Sequence, residues 1–509
     1  MATNDISAVA SLEITDFENL TNLQRNMYLS EALDNSITNR TPYVSENDNE
    51  VIGSKFYIKP KKTTMYSDII EKMTSSPGAV DEYNYIINDK MDFINYIYMT
   101  KKIPGIKVKD TFKDNVQISW THNLGHNIIE SFELLIDSDP KQTITNTWLD
   151  ICSQFFINND HRKNYRKNIG DEKYSSSWTN VKNNGTKGKV WGTELFPFTV
   201  KVPLPFSFDV AKTPFPIFLS NQSKVLIKGK FKSKFSQLLK MRIRDGNEWQ
   251  ERPFDWRVLE GIQNEYYAMI DPPELYTCYS KITKEEKNYW YDSFQNDKKS
   301  NVESPKKTYK YYYNDIIINS YDKLYTSSEP FNDTLSSKSP TKGIFWVAQN
   351  NKGLDYNNYS NYTTNPFDIS MGKDPIEKVG IKHTGTASRC KDMESYHFVD
   401  MVSYYRLPSS PYAKGYGAMP FSKNMLTIDA DIGPIFDQIK TSLSLVLGDG
   451  VETGKKLKDI KDDALLKSIL EKSDDEDKSN NKYKIFIFTV IMKQFQFSIA
   501  DKIKVNDGT

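Results

Sequence analysis

His122 and His126 stand four residues apart, the spacing at which two imidazoles on one helical face converge on a metal ion. No glutamate follows the first, however, and the flanking runs VQISW and IIESFELLI read as strands. On extended chain that spacing separates the rings by roughly 13 Å, so no metal site is expected. A second candidate, Gly448 to Lys456, follows the apolar run SLSLVL as a phosphate-cradling loop would. Asp449 stands where the motif needs its first glycine and Lys456 where it needs a hydroxyl, so the segment reads as a polar turn. His161, His383 and His397 have no serine or cysteine nucleophile that sequence can assign to them. No catalytic residue and no cofactor site is expected, and the chain reads as a non-enzyme. Seven N-x-Ser/Thr sequons occur, and those at Asn332, Asn358 and Asn361, in loop-like polar stretches, are the expected accessible sites for glycosylation.

Composition narrows the class further. Lys+Arg of 67 against Asp+Glu of 66 gives a formal charge of +1, without the basic stripe that neutralises nucleic-acid phosphates, so direct nucleic-acid binding is not expected. Cys152, Cys278 and Cys390 are odd in number and far apart, which argues against a disulfide framework and suits a reducing compartment. The start, MATNDISAVASLE, lacks a basic stretch and an apolar core, and the longest apolar run, Ile485 to Met492, is too short to span a bilayer. The expectation is a soluble protein made in the cytosol.

The elements that would position any site are strands. Leu195 to Phe231 interleaves five prolines with aromatic residues, and proline is confined to strand edges, first residues and bends. At its end Val225, Ile227, Gly229 and Phe231 share one face against Leu226, Lys228 and Lys230 on the other, the period of a half-buried antiparallel strand. Strand-like runs also include FINYIYMTKKIPG, YYYNDIIIN and KGIFWVAQN, and YKIFIFTVIMKQFQFSI carries the strongest signal, apolar enough to be buried between two layers. WTNVKNNGTKGKVWG and SSEPFNDTLSSKSPTKG read as long surface loops, and Thr15 with Glu18 forms a capping box for one short helix in a polar N-terminal arm. A composition shift after Phe231 marks the expected junction between two halves.

Taken in order, these blocks resemble the major capsid proteins of nucleocytoplasmic large DNA viruses, the group that includes iridoviruses and phycodnaviruses. ISWTHNLGHNIIESFELLID with TWLDICSQF is similar to a family segment through Trp120, Asn123, Gly125, His126 and Trp148. VPLPFSF, with Pro203, Pro205 and Phe206, is similar to the family's proline-aromatic stretch, expected to close the first sandwich. LYTCYSKITKEEK, KGIFWVAQNN around Trp346, and ESYHFVDMVSYYRLPSSPYAKGYGAMPFSKN with Phe421 and Ser422 resemble blocks of the second half.

The resemblance implies an all-β fold of two consecutive eight-stranded jelly-roll sandwiches with long loop insertions and a few short helices. The expected division is an arm over 1–53, a first jelly roll over 54–235 and a second over 236–509, with an insertion around 432–481. It also implies a virion protein, assembled as homotrimeric, pseudo-hexagonal capsomers in an icosahedral shell, contacting neighbouring capsomers and minor capsid proteins. The arm is a candidate for the inner side, against those proteins or an internal membrane, and the polar blocks around Asn184 and from Asn350 to Asn365 for the exterior. Alternative readings are a scaffold that shapes a membrane during assembly and a glycan-binding jelly-roll protein.

Overall fold

A computed structural model describes residues 67–498 and 504–506, apart from 172–177, 180–193, 211–212, 221–222, 233, 246–247, 263–271, 285–286, 289–307, 385–389, 426–432 and 449–480. The N-terminal arm with its expected helix, and the lysine-rich turn after Gly448, lie outside the described residues.

Alternating apolar runs cut by proline and glycine build the first sandwich from β1 (Ser67–Lys72), β2 (Thr74–Pro77), β3 (Glu82–Ile86), β4 (Phe93–Ile103), β5 (Ile106–Lys107), β6 (Val116–Trp120), β7 (Ile129–Ile136) and β8 (Asp139–Thr145). It continues through β9 (Glu194–Leu195), β10 (Phe198–Leu204), β11 (Phe215–Pro216), β12 (Val225–Phe231), β13 (Leu239–Asp245), β14 (Glu248–Arg252) and β15 (Glu274–Lys281). One sheet has the order β1-β15-β4-β10, with β11 on β4, and the facing sheet the order β2-β3-β12-β7-β8, while β14-β13-β6 and β5-β9 form two smaller separate sheets. In β12 the alternation holds: Val225, Ile227, Gly229 and Phe231 are buried while Lys230 is exposed. Gly229 has no room for a side chain, since a Cβ would lie 2.7 Å from the Phe132 ring.

Sheet pairing crosses the expected junction at 235/236. β13 pairs with β6 and β14, and β15, which carries LYTCYSK, inserts between β1 and β4. In a jelly roll the first and last strands are neighbours, so the closing strand arrives after all the others. The proline-aromatic stretch therefore supplies β10, β11 and β12, and β15 closes the first sandwich.

The second sandwich comprises β16 (Thr308–Tyr325), β17 (Phe331–Leu335), β18 (Thr341–Asn350), β19 (Ile376–His383), β20 (Cys390–Glu394), β21 (Tyr416–Pro420), β22 (Thr441–Leu447), β23 (Tyr483–Ser498) and β24 (Lys504–Asn506). Its sheets run β16-β23-β18-β21, with β24 on β23, and β17-β22-β19-β20. Numbering eight principal strands along the chain in each sandwich gives the same two sheets twice, first-eighth-third-sixth and second-seventh-fourth-fifth. Two stretches expected as loop or insertion are sheet strands instead. β17 lies within SSEPFNDTLSSKSPTKG, and β22, at the front of the presumed insertion, turns Leu443, Leu445 and Leu447 inward by simple alternation.

The second core gathers Phe331, Ile344, Trp346, Val379, Phe398, Leu443, Leu445, Ile485 and Ile487. Burying each such side chain contributes about 1.5–3 kcal/mol. β18 and most of β23 are buried on both faces, as the apolar run of β23 led one to expect, because their outer faces meet the first sandwich. The strands of both sandwiches belong to one compact unit.

Trp346 fixes one local constraint. It is fully buried, its ring lies 5.6 Å from that of Phe398, and a Cβ on Gly417 of the neighbouring β21 would stand 2.2 Å from its Nε1. Gly417→Ala is expected to destabilise the protein by about 1–3 kcal/mol, the range for overpacking a filled core, as read by chemical denaturation.

Candidate functional site

Four of the residues that the motifs single out, Asn123, Gly125, His126 and Trp148, meet at the joint between the sandwiches. Asn123 takes a left-handed conformation (φ +48°) and turns the chain into a short helix, α1 (Leu124–Ile128). Gly125 lets that turn press onto its neighbours: its N–H donates to Ile169 O at 2.8 Å, and a Cβ would lie 2.7 Å from Val202 Cγ2. α2 (Asn146–Phe155) follows β8 directly, with Thr145 Oγ1 accepting from Trp148 N at its start, and α3 (Asn159–Asn168) comes next.

These three helices hold a buried polar hub. His126 Nδ1 lies 2.6 Å from Asp150 Oδ1, and His126 Nε2 lies 2.8 Å from the Tyr165 hydroxyl. Asn123 Nδ2 donates to Asp150 Oδ1 at 2.8 Å. The other carboxylate oxygen accepts from Tyr362 Oη at 2.9 Å, a residue of the β18–β19 loop of the second sandwich. His126 and Asp150 are 0% and 1% exposed, so no substrate reaches them. Burial pushes the Tyr165 and Tyr362 hydroxyls well above their ordinary range, which keeps both as hydrogen-bonding phenols. The Asp–His–Tyr order has the connectivity of a proton relay, but its setting makes it a cross-link between sandwiches.

An aromatic seam surrounds the hub. The Trp148 ring lies 5.6 Å from Phe345 and 5.4 Å from Phe488, and Phe155 and Phe156 each lie 5.4 Å from Phe345. Further along, Phe215 meets Tyr311 at 5.6 Å and Phe495 and Phe497 at 5.8 Å. Each aromatic pair contributes about 0.5–1.5 kcal/mol beyond area burial.

The β18–β19 loop completes the joint. Asn357 O accepts from Thr121 Oγ1 at 2.6 Å, Asn127 Nδ2 donates to Ser360 Oγ at 2.8 Å, and Lys232 Nζ sits 3.2 Å from the centre of the Tyr359 ring. Burial lowers the Lys232 ammonium to about 8.

Asn358 and Asn361 are fully buried, and their amide nitrogens donate to Pro366 O at 3.1 Å and Asn365 O at 2.7 Å. Neither is open to glycosylation, and the stretch from Asn350 to Asn365 is largely interior rather than exterior. Asparagine-rich composition marks polar surface and backbone-capping loop alike, and here it does the capping. Asn332 is exposed on β17, and Asn184 lies outside the described residues.

The other motif residues sit apart from the hub. Trp120 packs against Phe235 at 6.0 Å, and Pro203 lies within β10, opposite Tyr98. Pro205 follows the end of that strand, and Phe206 stacks on Phe208 at 5.6 Å. Phe421 lies 5.6 Å from Phe436, and Ser422 N donates to Lys342 O at 2.9 Å. His122 Nδ1 lies 3.6 Å from Asp171, whereas His126 is held by Asp150 and Tyr165, and among the described residues no cluster of metal-ligating side chains occurs. Motif reasoning missed Asp150, Tyr165, Tyr362, Phe345 and Phe488. Only Asp150 carried a usable signal, as the lone acid in the apolar helix TWLDICSQF.

A jelly-roll topology repeated twice in one chain and joined by an aromatic seam defines a double jelly-roll protein. Residues 55–234 match the family model described as major capsid protein N-terminus. Capsid protein 1 of Acanthamoeba polyphaga mimivirus is 28% identical over 130 residues, covering 24% of this chain and 21% of that protein. The major capsid protein of Tipula iridescent virus is 25% identical over 152 residues, covering 29% of this chain and 31% of that protein. The chain thus aligns with about a fifth to a third of the length of these curated relatives. Among solved structures, the Faustovirus major capsid protein superposes with a TM-score of 0.60 at 10% identity, covering 92% of this chain and 98% of that one. VP54 of PBCV-1, fitted into a reconstruction of the virophage Sputnik, gives 0.58 at 13% identity, covering 89% and 99%. The resemblance drawn from the strand blocks, to major capsid proteins of large DNA viruses, is borne out, as is the all-β fold.

Two tests follow from this geometry. His126→Ala leaves the buried Asp150 carboxylate short of a partner and is expected to cost about 3–5 kcal/mol, whereas Tyr362→Phe, which removes one hydrogen bond to that charge, is expected to cost about 1.5–3 kcal/mol, both by chemical denaturation. Burial raises Asp374 to about 6, against hydrogen bonds from Ile376 N and Ser395 Oγ. Between the unfolded value near 4 and about 6 the native state holds the extra proton, so this group's contribution to stability is full below pH 4 and is lost as pH rises through 6. Asp374→Asn is expected to flatten the stability profile in that window, measured by denaturation at stepped pH.

Proposed function

We propose that this chain is a structural capsid protein that self-associates into homotrimeric, pseudo-hexagonal capsomers and through them into an icosahedral shell. The observation that carries the reading is the repetition of one eight-stranded topology in a single compact unit. Two similar sandwiches side by side give a threefold assembly approximate sixfold symmetry, so its capsomers can tile a hexagonal lattice. The aligned major capsid proteins of an iridovirus and the mimivirus capsid protein support the same role. The hub supports it too, since an Asp–His pair sealed from solvent serves as a fastener and not as a catalyst.

On this reading the protein resides in the virion, and its partners are itself, neighbouring capsomers and minor capsid proteins. The arm over residues 1–53 would reach those minor proteins or an internal membrane. Loops leaving strand ends tolerate long insertions without disturbing the sheets, which suits a tile that varies on its exposed sides.

Negative-stain imaging of the purified protein with its mass measured in solution tests the assignment. The expected outcome is a particle of three chains with a hexagonal outline, and a single-chain mass at micromolar concentration would contradict it.

A further inference from the structure

The joint inside one chain contains half of a contact that its own repetition predicts twice. In the first sandwich, α2 starts immediately after the fifth strand, β8, and lays an apolar stripe on the second sandwich. Trp148, Cys152, Phe155 and Phe156 stand three, seven, ten and eleven residues beyond Thr145, the last residue of that strand. In the second sandwich the fifth strand, β20, ends at Glu394 and leads into helical turns over His397–Met401 and Val402–Arg406. At the same offsets from Glu394 stand His397, Met401, Tyr404 and Tyr405. The register is corroborated by the next position: Leu149 and Phe398, each four residues past its strand, are both buried.

The two stripes differ in what covers them. Cys152 and Phe155 are buried, whereas Met401 is 46%, Tyr404 74% and Tyr405 71% exposed. Large side chains left so open at the positions that form a packed seam elsewhere in the same chain mark an interaction surface.

The receiving face is repeated as well. α2 rests on Phe345 and Phe488, which are paired directly across the third and eighth strands of the second sandwich. In the first sandwich those strands are β4 and β15, and the direct pair is Tyr98 with Tyr276, rings stacked at 5.3 Å. Both tyrosines are half-buried, and Tyr96 beside them is 38% exposed on the same side of the strand.

We propose that the Met401/Tyr404/Tyr405 stripe of one copy docks on the Tyr98/Tyr276 face of the next copy, reproducing between chains the contact that α2 makes within one. The occupant is a second copy of this chain because the stripe and the face are each the counterpart of one side of the intrachain seam. Such a contact is head-to-tail, and three of them close a ring. The inference rests on the trimer reading above and names the surface that would form it.

Tyr404→Ser/Tyr405→Ser and Tyr98→Ser/Tyr276→Ser, each with its far-UV circular dichroism checked, are compared with the parent by light scattering. The expected result is a three-chain parent, loss of the trimer in both variants, and two-chain particles when the variants are mixed, since only one intact stripe and one intact face remain. Trimers that survive either pair of substitutions overturn this contact while leaving the trimer itself standing, whereas a single-chain parent overturns the trimer reading. Should a serine variant fail to fold, an oxidative cross-link between chains carrying Tyr405→Cys and Tyr98→Cys, absent from each single variant, reads the same contact; its absence from folded trimers overturns the proposal.

Discussion

The structure depends on α2 lying between two sandwiches and satisfying both. One helix of ten residues buries Leu149, presents Trp148 and Phe155 to the sheet of the other sandwich, and gives Asp150 to a hub that ends on Tyr362 across the joint. The aromatic contacts supply area, and the hub supplies register. A buried carboxylate shared among His126, Asn123 and Tyr362 can be satisfied in one relative placement of the two sandwiches, whereas apolar faces alone tolerate sliding. A rigid pair of sandwiches is what the proposed hexagonal tile requires, because a hinge at the joint would spread the outline of the proposed capsomer.

Much of the fold was legible because strand periodicity is local. The alternation in Val225–Phe231 and the apolar run of Tyr483–Ser498 needed no knowledge of their partners. The positions of strands within sheets are a different matter. LYTCYSK looks the same whether it opens a second sandwich or closes the first, and only its pairing with β1 and β4 decides. Likewise TSLSLVL stands next to a charged, lysine-rich stretch, and that neighbourhood hid an ordinary inward-facing alternation.

The site was legible in part and for a chemical reason. Asn123, Gly125 and His126 come from one tight turn, so motif reading caught them together, but their partners Asp150, Tyr165 and Tyr362 lie 24, 39 and, from Asp150, 212 positions away along the chain. Nothing local marks a tyrosine as the far end of a network in a chain with 31 of them. The asparagine-rich loop misled in the opposite direction. The same amides that make a sequon look exposed are spent on backbone carbonyls inside the joint.

The claim that the two sandwiches form one rigid unit is tested most directly by differential scanning calorimetry of the whole chain. The account predicts a single cooperative transition, with calorimetric and van't Hoff enthalpies in agreement, because the seam and hub couple the two cores. Two resolved transitions, one for each sandwich, would contradict it.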